Sequence, residues 1–148
     1  MSLEENKAII RRWFEAENKK DLALLDEFVA SDFFDHTHHL KGLKEYKQFI
    51  ASIGKGFPDF HETIKDMIAE EDKVWVFFEF KGTHTGEWMG LASTGKKIKA
   101  SVVEIFRIVD GKVAEEWEVA DELDFYKELG VIEYTEKGKR ALASPSYW

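Results

Sequence analysis

The chain has 148 residues, a net charge of −8 and no cysteine, which excludes disulfides, thiolate metal sites and a cysteine nucleophile. That length suits one domain burying roughly 68–70% of its unfolded surface. The acidic balance, without a basic patch beyond short runs such as Lys96-Lys97, argues against nucleic acid or an anionic membrane as partner.

Leu3, Ile9, Ile10, Trp13 and Phe14 fall on helical spacing with charges between them. This predicts a first helix over about residues 2–18. The same acidic, helical start is unlike a signal peptide, and no apolar run reaches the 18 or so residues of a spanning helix. A cytoplasmic protein is the expectation. Asp21 is placed to cap a short helix carrying Leu22, Leu25, Phe28 and Val29. Residues 31–38 read as a brief extended segment. Gly42 opens a third helix with Leu43, Tyr46, Phe49, Ile50 and Ile53 as its apolar stripe; Gly54, Gly56 and Pro58 stop it.

From Phe60 the period changes to two. Residues 60–69, 74–84, 97–109 and 112–120 read as strands. Glu71-Asp72 and Asp110-Gly111 read as tight turns, the second the stronger hairpin signal. The glycine-rich stretch GTHTGEWMGLASTGKK, residues 82–97, is an excursion between strands. Residues 121–129 form a closing helix. Helices followed by long antiparallel strands make an α+β pattern, in which twisted strands curl into a cone covered by the N-terminal helices. The open end of a cone is a natural site for a small-molecule ligand, and 12 Phe and 5 Trp supply rings enough to wall it. The whole of 1–148 reads as one domain, with a core at about 3–132 and a C-terminal extension at 133–148.

The stretches FPDFHETIKDMIAEEDKVWV, GTHTGEWMG, STGKKI, FRIVDGKVAEEWEVAD and ELDFYKELG follow one another in order between Phe57 and Gly130. Together with DFFDH at 32–36, they resemble the SnoaL-like polyketide cyclase family, also called the ester cyclase group, of the nuclear transport factor 2-like superfamily. The resemblance implies a cystatin-like α+β cone and a homodimer through the outer sheet face. It also implies an aspartate acting as general acid/base in an intramolecular aldol closure without a cofactor. The family's W-x-x-x-D pattern falls on Trp117 and Asp121, and its D-H position on His36, where a histidine near the cone mouth can hydrogen-bond a substrate oxygen. Where many relatives read E-H-W, this chain reads Glu115-Glu116-Trp117.

The residues can be placed independently. If Asp110-Gly111 is a two-residue hairpin, Glu104 opposes Trp117, Val102 opposes Val119 and Ala100 opposes Asp121, and opposed residues share a face. One face then carries Glu104, Trp117 and Asp121 among apolar groups, and Glu116 lies on the other. Such surroundings raise a carboxyl pKa, as an acid/base near neutral pH requires. Asp121 is equally well placed to cap the closing helix. Trp88 and Met89, between glycines 86 and 90, suit a lid. His84 continues the phase of Val74, Val76, Phe78 and Phe80. The expected catalytic residues are Asp121 and His36; the expected ligand-binding residues are Trp13, Phe78, His84, Trp88, Met89, Glu104 and Trp117.

Three of the five histidines cluster in FFDHTHHLKG, residues 33–42. On an extended segment His36 and His38 share a face and His39 points away. With Asp32 or Asp35 they could bind a metal, but the spacing shows no third or fourth protein ligand, so no metal is expected. His38 and His39 are expected to be exposed. The functional expectation is a small cyclase acting on an enolisable carbonyl compound. The alternatives are a non-catalytic binder of a small apolar ligand, or a dehydratase, isomerase or hydrolase using the same pocket.

Overall fold

The computed structural model describes residues 1–143. Helix α1 (Leu3–Asn18) starts where predicted: Ser2 accepts a hydrogen bond from the Glu5 backbone N–H, and the Glu5 carboxylate accepts one from the Ser2 backbone N–H. This reciprocal pair satisfies two donors that the helix itself leaves free. A 3₁₀ turn (Leu22–Glu27) follows, and Asp21 makes no side-chain cap. Then come β1 (Val29–Asp35), β2 (Leu40–Lys41), α2 (Leu43–Gly56), β3 (His61–Glu70), β4 (Lys73–Thr83), β5 (Lys97–Val109), β6 (Lys112–Ala120), α3 (Glu122–Leu129) and α4 (Glu136–Leu142). The extension at 133–148 thus contributes a short helix; residues 144–148 lie outside the described residues.

The six strands form one sheet in the order β2-β1-β6-β5-β4-β3. All neighbours are antiparallel except β1 and β6, which run parallel. This is the expected α+β cone. Its concave face carries Val74, Val76, Phe78, Ile98, Val102 and Phe106, all buried. Helix α1 seals the narrow end. Trp13 lies 5.6, 4.9 and 5.0 Å from the rings of Phe33, Tyr46 and Phe106, and Phe14 packs edge-on to Phe78 at 4.8 Å.

Two expectations change. The β5–β6 hairpin closes at Asp110 and Gly111, both with positive φ (49° and 76°), as a two-residue turn demands. Ile108 then pairs Val113, but Arg107 pairs Glu115, so Ala114 bulges out of the ladder. Beyond the bulge every β6 residue faces opposite to the unbulged register. Glu104 opposes Glu118, and Trp117 opposes Ile105 on the convex face. Secondly, β1 ends at Asp35 and the chain turns through 36–39 instead of staying extended. Asp35 drives that turn by accepting the backbone N–H groups of both Thr37 and His38 on Oδ1, at 2.8 and 3.0 Å. His36 and His38 therefore point to different sides of the sheet.

The loop between β4 and β5 is held against the end of α2. The Gly86 backbone N–H donates to the Gly56 carbonyl at 3.1 Å, and a Cβ on Gly86 would lie 1.9 Å from the Lys55 carbonyl oxygen. Gly86→Ala is expected to destabilise the fold by about 1–3 kcal/mol, the usual range for overpacking. Chemical denaturation against the unmodified protein measures it, and an unchanged midpoint would show that the loop stands away from α2.

Candidate functional site

The cone opens into a cavity of about 210 Å³. Its walls are apolar: Phe49, Ile50 and Ile53 from α2, Phe78 and Phe80 from β4, and Phe125 from α3. Over it lies the turn at Trp88–Leu91, closed by two backbone hydrogen bonds of 3.1 and 2.9 Å, with Met89 and Gly90 both at positive φ. Trp88 is buried, edge-on to Phe57 at 5.5 Å and to Phe125 at 5.7 Å. Met89 is 73% exposed and meets the cavity only at its rim.

The floor is acidic. Glu17, Glu62, Glu104, Glu116 and Glu118 all line the cavity, and among the described residues no lysine or arginine lines it. Glu104 and Glu116 are 4% and 1% exposed. Burial pushes both carboxyls well above the ordinary carboxylate range, and neighbouring acids push further: Glu116 on Glu104, and Asp35 on Glu116. Burial also raises Glu62 and Glu118, the latter opposed by the nearby His38. Glu17 accepts the Tyr46 hydroxyl at 2.6 Å, and burial raises it from 4.5 to about 7. The Tyr46 phenol is itself pushed well up by burial. His38 reaches the cavity with its Nδ1 held 2.8 Å from Asp35 Oδ2, and this hydrogen bond raises its pKa.

Asp121 lies on the cavity wall but is exposed, at the mouth. It precedes α3 without making a side-chain cap to it, so its carboxylate is not committed to the helix. Of the residues picked from sequence, Phe78, Trp88, Met89, Glu104 and Asp121 come together around the cavity. Four do not. Trp13 is enclosed by Phe33, Tyr46 and Phe106, beneath the cavity. His84 is fully buried and stacked on Phe57; its Nδ1 lies 3.0 Å from Thr94 Oγ1, and its backbone carbonyl accepts from Thr94 and Gly95. It pins the 85–96 loop instead of facing a ligand. Trp117 and His36 stack on each other on the convex face, 4.5 Å apart and 5° from parallel, with His36 Nε2 3.0 Å from Glu115 Oε1. The Ala114 bulge turns Trp117 outward, and the end of β1 takes His36 with it.

Glu116 and Glu118 are the site residues that sequence reasoning missed. An acid-rich run, Glu115-Glu116-Trp117-Glu118, was visible, but without the bulge its parity sends both carboxyls to the convex face. Glu17 and Glu62 carried no pattern that separates them from surface residues, and His38, noticed in the histidine cluster but expected to be exposed, reaches the cavity because of the turn at Asp35. The departure from the E-H-W pattern therefore lies inside the cavity, as a buried Glu116.

This cone, with its floored cavity and helical cover, has the nuclear transport factor 2-like architecture. The family model described as SnoaL-like polyketide cyclase matches residues 7–129, and the chain belongs to that family. It is 26% identical over 144 residues to aklanonic acid methyl ester cyclase DauD of Streptomyces sp. (strain C5), covering 93% of this chain and 89% of that one. It is 25% identical over 139 residues to aklanonic acid methyl ester cyclase DnrD of Streptomyces peucetius, covering 89% and 95%. Among solved structures, AclR from Streptomyces galilaeus superposes with a TM-score of 0.82 at 29% identity, covering 96% of this chain and 92% of that one.

The Glu17 shift has a sign that can be checked. Its folded pKa of about 7 stands above the ordinary 4.5, so its stabilising contribution is complete below pH 4.5 and is lost as pH rises through 7. Glu17→Gln keeps an acceptor for Tyr46 and removes the titration. Its stability relative to the unmodified protein is expected to grow between pH 4 and pH 8.5, by on the order of 3 kcal/mol. Urea unfolding across that range measures the difference; a pH-independent difference would remove the buried titrating Glu17.

Proposed function

We propose that the protein is a cyclase that closes a ring in a neutral polyketide-derived ester by intramolecular aldol addition, with Asp121 as general acid/base. The observation that carries this reading is the position of Asp121: an uncapped, exposed carboxyl group at the mouth of a cavity with apolar, ring-bearing walls. Family membership supports the reaction class, and the matched cyclases are named for methyl esters. Esterification matters physically. The cavity has five glutamates at its floor, their carboxyl pKa values raised by burial, and no lysine or arginine among the described residues, so it offers a free carboxylate no lysine or arginine to pair with, while the ester needs none.

In this reading the Asp121 carboxylate takes a proton from the carbon next to a ligand carbonyl. The resulting enolate carbon bonds to a second carbonyl carbon of the same molecule. The new alkoxide then recovers the proton from Asp121, so the product is an isomer of the substrate and no group leaves. The rings of Trp88, Phe125 and Phe80 hold the flat chain, and Met89 covers the rim. We place the protein in the cytoplasm as a homodimer, with the convex face as its contact: Ile68, Trp75, Phe77 and Val119 are exposed there.

Aklanonic acid methyl ester and nogalonic acid methyl ester are the first substrates to test, followed by chromatography for an isomer of unchanged mass. Asp121→Asn is expected to lower turnover by about 100-fold or more while ligand affinity stays within a few fold. Full turnover by that variant would remove Asp121 from the chemistry. Tight binding of these esters with no turnover by the unmodified protein would instead establish the non-catalytic reading.

A further inference from the structure

We propose that Glu104, Glu116 and Glu118, together with His38, form a binding site for one divalent transition-metal cation at the floor of the cavity. One carboxylate oxygen from each glutamate lies within 4.8 Å of the other two. A single cation with metal–oxygen bonds of about 2.1 Å would hold them roughly 3.5 Å apart, so binding draws the three side chains inward by about 1 Å. The three come from adjacent strands: Glu104 and Glu118 are cross-strand partners, and Glu116 precedes Glu118 by one alternation on the same face. Rigid ladder positions thus hold the donors.

Two further observations point to a ligand. Glu104 Oε2 and Glu116 Oε2 are fully buried and have no hydrogen-bond partner, on side chains 4% and 1% exposed. Such orphaned oxygens are expensive unless something coordinates them. The fourth donor is an imidazole already oriented for the purpose. His38 Nδ1 lies 2.8 Å from Oδ2 of the fully buried Asp35, and its Nε2 lies 3.9 Å from Glu118 Oε1. With the Nδ1 proton given to Asp35, the Nε2 lone pair is left to face the cluster. A carboxylate behind a histidine in this way is the usual outer support of a histidine ligand. His36 and His39 take no part, since one lies on the convex face and the other is exposed.

Three carboxylates and one imidazole suit zinc, manganese, iron(II) or cobalt(II), and the nitrogen donor disfavours calcium and magnesium. A cation there faces the same cavity as Asp121, with a carbonyl oxygen of a bound ligand as a ready further donor. The inference does not depend on the cyclase reading, because it concerns binding and holds equally for a protein without turnover.

The test uses the full chain, freed of metal by a chelator and titrated calorimetrically with Zn²⁺, Mn²⁺ and Co²⁺, with the visible absorption of Co²⁺ as a second readout. At least one of the three is expected to bind with a stoichiometry of one. Glu116→Gln and Glu104→Gln should each weaken binding 10-fold or more. Asp35→Asn should weaken it about 10–100-fold through His38, and His39→Ala should leave it unchanged. Should a glutamate variant fail to fold, His38→Gln serves in its place and should alter the Co²⁺ spectrum. Absence of stoichiometric binding, or binding indifferent to Glu104, Glu116 and His38, would overturn the site. So would thermal stabilisation by alkylamines with none by the metal ions. Loss of the metal site leaves the Asp121 result untouched, so the two readings fail separately.

Discussion

A single extra residue in β6 organises the cavity. Ala114 has no partner on β5, and the ladder shifts by one position around it. Because strand side chains alternate, that shift exchanges the two faces of everything that follows, from Glu115 to Ala120. Glu116 and Glu118 turn inward beside Glu104, while Glu115 and Trp117 turn outward. The outward pair is used as well: Glu115 is paired with Arg107 and His36, and Trp117 carries the His36 ring. The bulge thus defines the acidic floor and the convex surface together. Val113, before the bulge, still points inward and is fully buried, so the hairpin end remains core.

Placing so many carboxyls at the end of a cone is a burden that the rest of the fold must offset. Buried carboxyls hold their protons or find partners. Tyr46 partners Glu17, and His38 with two backbone N–H groups partners Asp35. Glu104 and Glu116 keep unpartnered oxygens. Beneath them lies an aromatic cluster in which Trp13 meets Phe33, Tyr46 and Phe106, and Phe33 meets Tyr46, with ring centres within about 6 Å. Sites that destabilise a fold locally are a common accompaniment of function. Here the destabilising groups sit on a fully buried part of the core, where local opening is unfavourable.

The architecture was legible because each element announces itself by period and punctuation. The 3.6-residue stripe of α1, the change to alternation at Phe60 and the Asp110-Gly111 hairpin place helices and strands within a residue or two. The site was legible only in part. Phe78 and Glu104 lie on strands whose orientation follows from that periodicity, and Trp88 and Met89 on the glycine-flanked loop; Asp121 reaches the cavity because β6 ends at Ala120, since the bulged register would send it to the convex face. Trp117 and Glu116 exchange places because a bulge leaves no mark that a simple alternation reveals. His36 and His38 separate because Asp35 accepts two backbone N–H groups and bends the chain just after the strand. His84 follows the predicted phase, yet the loop folds back over it and takes it out of the cavity. In each case a local hydrogen bond or an inserted residue overrides a correct periodic reading.

The cavity therefore has two chemically distinct ends. At the mouth, Asp121 is exposed and stands beside Glu122. At the floor, Glu104 and Glu116 are buried, and electrostatic interactions are correspondingly stronger. The cavity thus presents an exposed carboxyl group at one end and buried ones at the other. The bulge that turns Glu116 and Glu118 inward thus sets the make-up of the floor as well as the strand register, and does so without touching the residue at the mouth.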